Sequence, residues 1–258
     1  MSWNATTING QTIFRCQELN TPAVIQAVST KSSGNMALHT VDQPEAVIVN
    51  RQQFLSSLGL TVDNLVAAIQ VHGTEVKEVS RRSRGCGARF LTSAIADTDA
   101  LITRDKDVVL SIFTADCLPI FIFDPLTPAV GVVHAGWRGS IKGIAAIALD
   151  KMARQFQTDP GQCWVALGPA IGACCFQVNA ELAEGFAKIF PEVVTGDQQN
   201  GYHVDLNLFN ALLMQKNGVQ PERIIYSGVC TATRSDIFYS YRAEQGTGGR
   251  LMGIIGLR

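Results

Sequence analysis

Three of the chain's histidines and cysteines fall in a pattern that could do acid–base or metal chemistry. There are four histidines (His39, His72, His134 and His203) and seven cysteines. His72 and His134 each end an apolar run and are followed within two residues by glycine, in VHG and VHAG. An imidazole at such a position can be a structural group, a proton carrier or a metal ligand. Cys117 falls between two apolar runs, 108–113 and 118–123, and a third run follows at 129–133. Runs without polar alternation read as strands buried on both faces. The DPLTP segment between the last two marks a tight connection. If these two strands form an antiparallel hairpin centred on Pro125 and Leu126, Asp124 faces Thr127 and the same count sets Cys117 opposite His134. Facing residues have Cα atoms ~4.5–5.5 Å apart. A thiol and an imidazole are therefore expected together at one end of a buried hairpin.

Several chemistries fit that pair. With His72 added, two imidazoles and a thiolate make a three-ligand set with an open fourth position, the pattern of catalytic zinc. The same ligands match a blue-copper site, although a multicopper centre needs more imidazoles than the four present. Without metal, Cys117 would be a nucleophile and His134 its base. Asp116, beside the thiol, is a candidate proton carrier or a partner that orients a histidine; hydrogen bonding within the bend is the alternative. After His134 comes AGWRG, then a helical spacing of Ile141, Ile144, Ala145, Ala148, Met152 and Phe156 that Ser140 would open. A glycine-rich turn entering a helix presents N–H groups to an anion, and the Arg138 guanidinium suits carboxylate or phosphate. A capping turn with a surface arginine is the alternative there. Arg51 is a second candidate for the anion.

The elements that must position these residues read as one α+β domain, 1–258, with a mixed sheet. Strands are expected at 23–28, 65–71, 99–103, 108–113, 118–123, 129–133, 163–167, near Ile224 and Phe238, and at 251–257. Helices are expected at 44–58, with Ala46, Val47, Phe54 and Leu58 inward, after Ser140, from Asn179 and from Asp205. Cys174 and Cys175 are adjacent without C-x-x-C spacing, so their side chains are expected to diverge as loop thiols. Apolar residues make up 47% and charged ones 17%, with net charge −1, which gives a large core and no nucleic-acid footprint. No run offers the ~20 apolar residues of a membrane span. The first residues lack a secretory pattern, so reduced thiols in the cytoplasm are expected. A monomer or small homo-oligomer is expected.

QVHGTEV, TADCLPI, HAGWRG, GPAIG and FYSYRAEQGTGGR together resemble the bacterial family known both as laccase-domain polyphenol oxidoreductase and as purine nucleoside phosphorylase. Similar proteins include the peptidoglycan editing factor. The resemblance covers nearly the whole chain. It implies zinc bound by His72, Cys117 and His134, copper being disfavoured. It also implies phosphorolysis of adenosine, inosine and methylthioadenosine, adenosine deamination at the same site, and an α/β sandwich like that of the cytotoxic necrotising factor deamidases. Nucleoside and phosphate would be the partners, with Arg138 and Arg51 on the anion. A Cys–His hydrolase acting on peptidoglycan precursors is the alternative. The chain departs from the family pattern at Lys31, where an arginine is usual, and at Tyr239, Ala243 and an extra glycine before Arg250.

Overall fold

The strands Leu118–Asp124 and Ala129–Ala135 are buried along their entire length, as their unbroken apolar sequences require. The computed structural model describes residues 3–40, 42–246 and 248–258. In chain order the strands are β1 (Trp3–Ile8), β2 (Gln11–Cys16), β3 (Val24–Ser29), β4 (Leu65–Val66) and β5 (Val76–Glu78). Then come β6 (Ala100–Thr103), β7 (Val109–Thr114), β8 (Leu118–Asp124), β9 (Ala129–Ala135) and β10 (Trp164–Leu167). The last are β11 (Gln177–Val178), β12 (Val194–Asp197), β13 (Gly201–Val204), β14 (Ile224–Tyr226) and β15 (Leu251–Leu257). Helices are α1 (Pro44–Ser57), α2 (Trp137–Ile141), α3 (Ile144–Phe156), α4 (Ala180–Ala187) and α5 (Leu206–Lys216).

Two six-stranded sheets dominate, in the orders β1-β2-β3-β15-β7-β4 and β14-β10-β8-β9-β6-β5. Both are mixed: β4 runs parallel to β7, β5 to β6 and β14 to β10, while the other ladders are antiparallel. A small third sheet is β11-β13-β12. Because side chains alternate along a strand, β8 and β9 supply two cores. Phe121, Phe123, Val130 and Val132 point toward the first sheet and pack with its Leu110, Ile112, Leu251 and Ile255. Ile120, Ile122 and Val133 point the other way, onto Ala145, Ala148 and Met152 of α3 and Phe209 of α5. On the far side, Phe54 and Leu55 of α1 cover Ile25, Val109, Met252 and Ile254 of the first sheet. The layers are thus helix, sheet, sheet, helix: a mixed-sheet α+β sandwich.

The hairpin register differs from the count by two residues. Asp124 pairs with Ala129 and Pro119 with His134, which carries the count to Gly136 opposite Cys117. The reason is the connection: 125–128 form a four-residue turn in which the Asp124 carboxylate accepts from the N–H groups of Leu126 and Thr127, at 2.9 and 3.2 Å, and from the Thr127 hydroxyl. An even shift keeps every side chain on its expected face.

Other expectations need correction. The helix expected to open at Ser140 is two helices, α2 and α3, parted at Gly143, whose φ is +82°. Ser140 is not a cap; it is fully buried and accepts from Asn210 Nδ2 at 3.0 Å. The strand expected at 65–71 stops at Val66, and the chain then runs irregularly to His72. Phe238 lies beyond a series of turns, not in a strand. In α1, Val47, Arg51, Phe54 and Leu55 are buried while Ala46 is exposed. Asn179 and Asp205 do cap α4 and α5, accepting from Leu182 N and Leu208 N at 2.9 Å each.

Candidate functional site

His134 lies one residue from the end of β9, Cys117 immediately precedes β8, and His72 sits on the loop after β4. Their ligand-type atoms all fall within 4.8 Å of one another, and the two imidazoles meet edge to face at 4.8 Å between centroids. His72 reaches this position through a left-handed backbone, φ +57°, which breaks the strand path expected for it. Gly136 completes the arrangement by having no side chain. A Cβ there would lie 2.9 Å from His72 Cδ2 and 3.1 Å from Cys117 Sγ.

Asp99 ties the three segments together, and sequence reasoning missed it. Fully buried, it accepts at Oδ1 from His134 Nδ1 (2.8 Å) and His72 N (3.0 Å), and at Oδ2 from Val71 N (3.1 Å) and Gly73 N (2.7 Å). One carboxylate therefore fixes the His134 ring and folds the His72 loop onto the sheet. The β6–β9 register, with Ala100 opposite Val133, explains the contact: Asp99 stands directly across from His134. An acid opening an apolar strand was the available signal, but pairing between non-consecutive strands is invisible in a linear reading.

The charges are coupled. Burial works against ionisation of Cys117, yet the two imidazoles outweigh it and lower the thiol pKa from 9 to about 6. Burial likewise opposes a charge on His134, but Cys117 and Asp99 prevail and raise the imidazole to about 9. Burial also resists the Asp99 charge and is outweighed by His134 and the N–H donors, which hold its pKa below the usual value. Near neutrality, with no metal, the geometry favours a thiolate beside an imidazolium.

The trio opens onto a cavity of about 620 Å³, a size typical of small-molecule sites. Phe113, Trp137, Phe176 and Tyr241 give it flat apolar walls; Arg138, Arg242 and Arg250 give it positive charge, and His39 also reaches it. Arg138 stands within α2 and not in a loop before a helix, with its guanidinium 4.2 Å from the Trp137 ring centre. Among the described residues no hydrogen bond or ion pair occupies that guanidinium. Arg242 is engaged by the carbonyls of Cys175 and Gln177, and Arg250 by those of Gly248 and Gly249.

Two expected site residues are placed otherwise. Arg51 is 1% exposed and absent from the cavity wall; its guanidinium donates to the carbonyls of Met36, Gly87 and Ala88 at 2.7–2.8 Å and packs on Phe113. Burial lowers its pKa to about 10. Helix α1 faces the core at this position, so the charge is spent on backbone. Asp116 does line the cavity but touches neither histidine through any hydrogen bond among the described residues. With φ +85° it bonds Thr231 Oγ1 (2.6 Å) and Arg242 N (2.7 Å), the role of a bend residue. The orienting carboxylate is Asp99. Cys174 and Cys175 also depart from expectation, their sulfurs lying 3.7 Å apart.

A mixed-sheet sandwich with a Cys–His–His cluster at the foot of a basic, aromatic cavity defines a recognisable class. The family model for multi-copper polyphenol oxidoreductase laccase matches residues 24–258, and the chain belongs to that family. Purine nucleoside phosphorylase YlmD of Bacillus subtilis is 32% identical over 251 residues, covering 93% of this chain and 90% of that protein. Adenosine deaminase RL5, from an unknown prokaryotic organism, is 32% identical over 215 residues, 82% of each chain. The crystal structure of YlmD from Geobacillus stearothermophilus matches with a TM-score of 0.92 at 30% identity, covering 100% of this chain and 99% of that one.

Proposed function

We propose that this chain is a zinc-dependent purine nucleoside phosphorylase, acting on adenosine, inosine and methylthioadenosine, that also deaminates adenosine at the same site. The observation that carries the reading is the convergence of His72, Cys117 and His134 on one point at the foot of a nucleoside-sized cavity. The donor set fits zinc: two imidazoles and a thiol of lowered pKa, with one side left open. Names of similar proteins, purine nucleoside phosphorylase and adenosine deaminase, support the substrate class.

When bound, the ion supplies Lewis acidity toward water or a substrate heteroatom. The chain's own residues do the rest. Asp99 accepts the His134 Nδ1 proton, which turns Nε2 toward the cluster and fixes the tautomer. Trp137, Phe176 and Tyr241 offer faces against which a purine stacks. Arg138, its guanidinium 4.2 Å from the Trp137 ring centre, receives the phosphate that attacks C1′ of the ribose as the purine leaves. Asp116 keeps the wall formed by Thr231 and Arg242 in register with Cys117.

A second reading, a metal-free Cys–His hydrolase, is favoured by one observation, the Cys117 thiol set within 4.8 Å of the His134 imidazole, a neighbour that lowers the thiol's pKa. Activity measurements separate the two. Under the zinc reading, free base appears from inosine only with phosphate present, inosine appears from adenosine without it, and chelation stops both until Zn²⁺ is restored. Zinc-loaded protein that forms neither product would sink the nucleoside reading. Activity that survives chelation and ends on thiol alkylation would transfer the assignment to the hydrolase.

A further inference from the structure

A second sulfur cluster lies beside the segment that lends Ile171 and Phe176 to the cavity wall, in residues that the proposed function leaves without a role. Cys174 and Cys175 occupy a turn in which the N–H groups of Cys175 and Phe176 both donate to Gly172 O, at 3.0 and 2.9 Å. A strand would send the two adjacent side chains to opposite faces; this turn brings their sulfurs to 3.7 Å. Cys230, far away in sequence, arrives beside them because residues 170 and 230 bridge in parallel. The three sulfurs all lie within 4.8 Å of one another. No fourth cysteine, histidine or carboxylate joins them among the described residues.

The surroundings are built for that approach. A Cβ on Gly172 would stand 3.4 Å from Cys174 Sγ, 3.1 Å from Cys230 Cβ and 3.5 Å from Cys230 Sγ, so glycine leaves the space the thiols share. The Gly172 N–H donates to Cys230 Sγ at 3.2 Å, an interaction that favours a sulfur carrying negative charge. Cys174 is exposed and the other two are half-buried, which leaves an entry path from solvent.

We propose that Cys174, Cys175 and Cys230 form a second metal site, for a thiophilic d¹⁰ cation, Zn²⁺ or Cu⁺. Two sulfurs on a tetrahedral zinc, with bonds of ~2.3 Å, stand ~3.8 Å apart, close to the 3.7 Å found between Cys174 and Cys175. Three thiolates suit Cu⁺ in trigonal coordination; Zn²⁺ would add water at the exposed side. Binding displaces the thiol protons to solvent and changes no oxidation state. The site would brace the cavity. The Cys175 carbonyl holds the Arg242 guanidinium, Thr231 next to Cys230 holds Asp116, and Ile171 N donates to Asp116 O. A cation joining Cys175 to Cys230 cross-links the segments that carry these contacts.

The test does not depend on any catalytic activity. The reduced Cys117→Ala variant of this chain, whose first cluster has lost its thiol, is titrated anaerobically with Zn²⁺ and, separately, with Cu⁺ against a chromophoric chelator. About one tightly held equivalent of at least one of these ions is expected, and the stronger of the two identifies the cation. Adding Cys174→Ser and Cys230→Ser should abolish it. Should the combined variant misfold, differential alkylation of the wild-type protein decides instead: the metal must protect Cys174, Cys175 and Cys230 together. No tight binding of either ion by the Cys117→Ala variant, or alkylation of the three thiols unchanged by metal, overturns the site. So does a disulfide between any two of them that persists under the reducing conditions used.

Discussion

A carboxylate that accepts from one imidazole and three backbone N–H groups has no freedom left, and Asp99 is in that position. Replacing it with asparagine keeps the size but sets an amide N–H₂ against donors. Asp99→Asn is expected to weaken zinc binding by about 10–100-fold and to cost roughly 1–3 kcal/mol of stability. Chelator competition and thermal unfolding measure the two effects, and unchanged zinc affinity would remove Asp99 from its positioning role. Cys117 offers a sharper signature. In metal-free protein its alkylation should follow thiolate formation with a midpoint at about 6, where an ordinary thiol titrates near 9. The attraction to His134 lasts only while both groups are charged, so it fades as pH falls through about 6 and as it rises through about 9. An alkylation midpoint near 9 would show the imidazoles do not act on the thiol. For Arg138, lysine keeps the charge and loses the planar fork. Arg138→Lys should raise the phosphate concentration needed for half-maximal phosphorolysis and leave zinc content unaltered; an unchanged phosphate dependence would return it to a surface role on Trp137.

At the level of elements, the thiol–imidazole meeting was legible because β8 and β9 announce themselves as unbroken apolar runs. The register was misjudged because Asp124 builds a longer turn than its sequence suggests. The error was even, so the face survived; an odd one would have turned Cys117 away from the histidines. What stayed hidden needs pairing between distant strands or an irregular loop: Asp99 against His134, the left-handed His72, the converging Cys174 and Cys175. Glycine carries the closest packing. Gly136→Ala should drive a methyl into His72 and Cys117, lowering zinc affinity while far-UV circular dichroism stays unchanged. Retained affinity would mean the loop carrying His72 can yield. Helix α1 makes the converse case, since the Arg51 guanidinium is turned to backbone carbonyls and Phe113. Arg51→Met should cost roughly 3 kcal/mol, because three carbonyls lose a charged donor, yet zinc stoichiometry should hold. Two of the residues expected from the sequence to depart from the family pattern, Lys31 and Tyr239, lie close together. Lys31 pairs with Glu244 at 2.7 Å and lies 5.5 Å from the Tyr239 ring centre. The N-terminal loop thus meets the C-terminal segment there, next to the chain that carries Arg242 and Arg250 into the cavity.

Across the whole molecule, order in sequence and order in space disagree most at β15. It follows every other strand along the described chain, yet it sits in the interior of the first sheet, between β3 and β7, pairing with both. A polypeptide made from its N-terminus therefore spends most of its synthesis with a gap in that sheet. Until residue 257 has cleared the ribosomal tunnel, β3 and β7 present open, apolar edges of the kind that recruit strands from other chains. The same delay governs the cavity, whose Arg242 and Arg250 walls precede β15 directly. A nascent chain held before residue 251 has His72, Cys117, His134 and every strand of the second sheet in hand. The first sheet, against which β8 and β9 pack and from which the His72 loop leaves, still lacks the strand between β3 and β7. That makes the last strand the latch for the sandwich on which the site is seated.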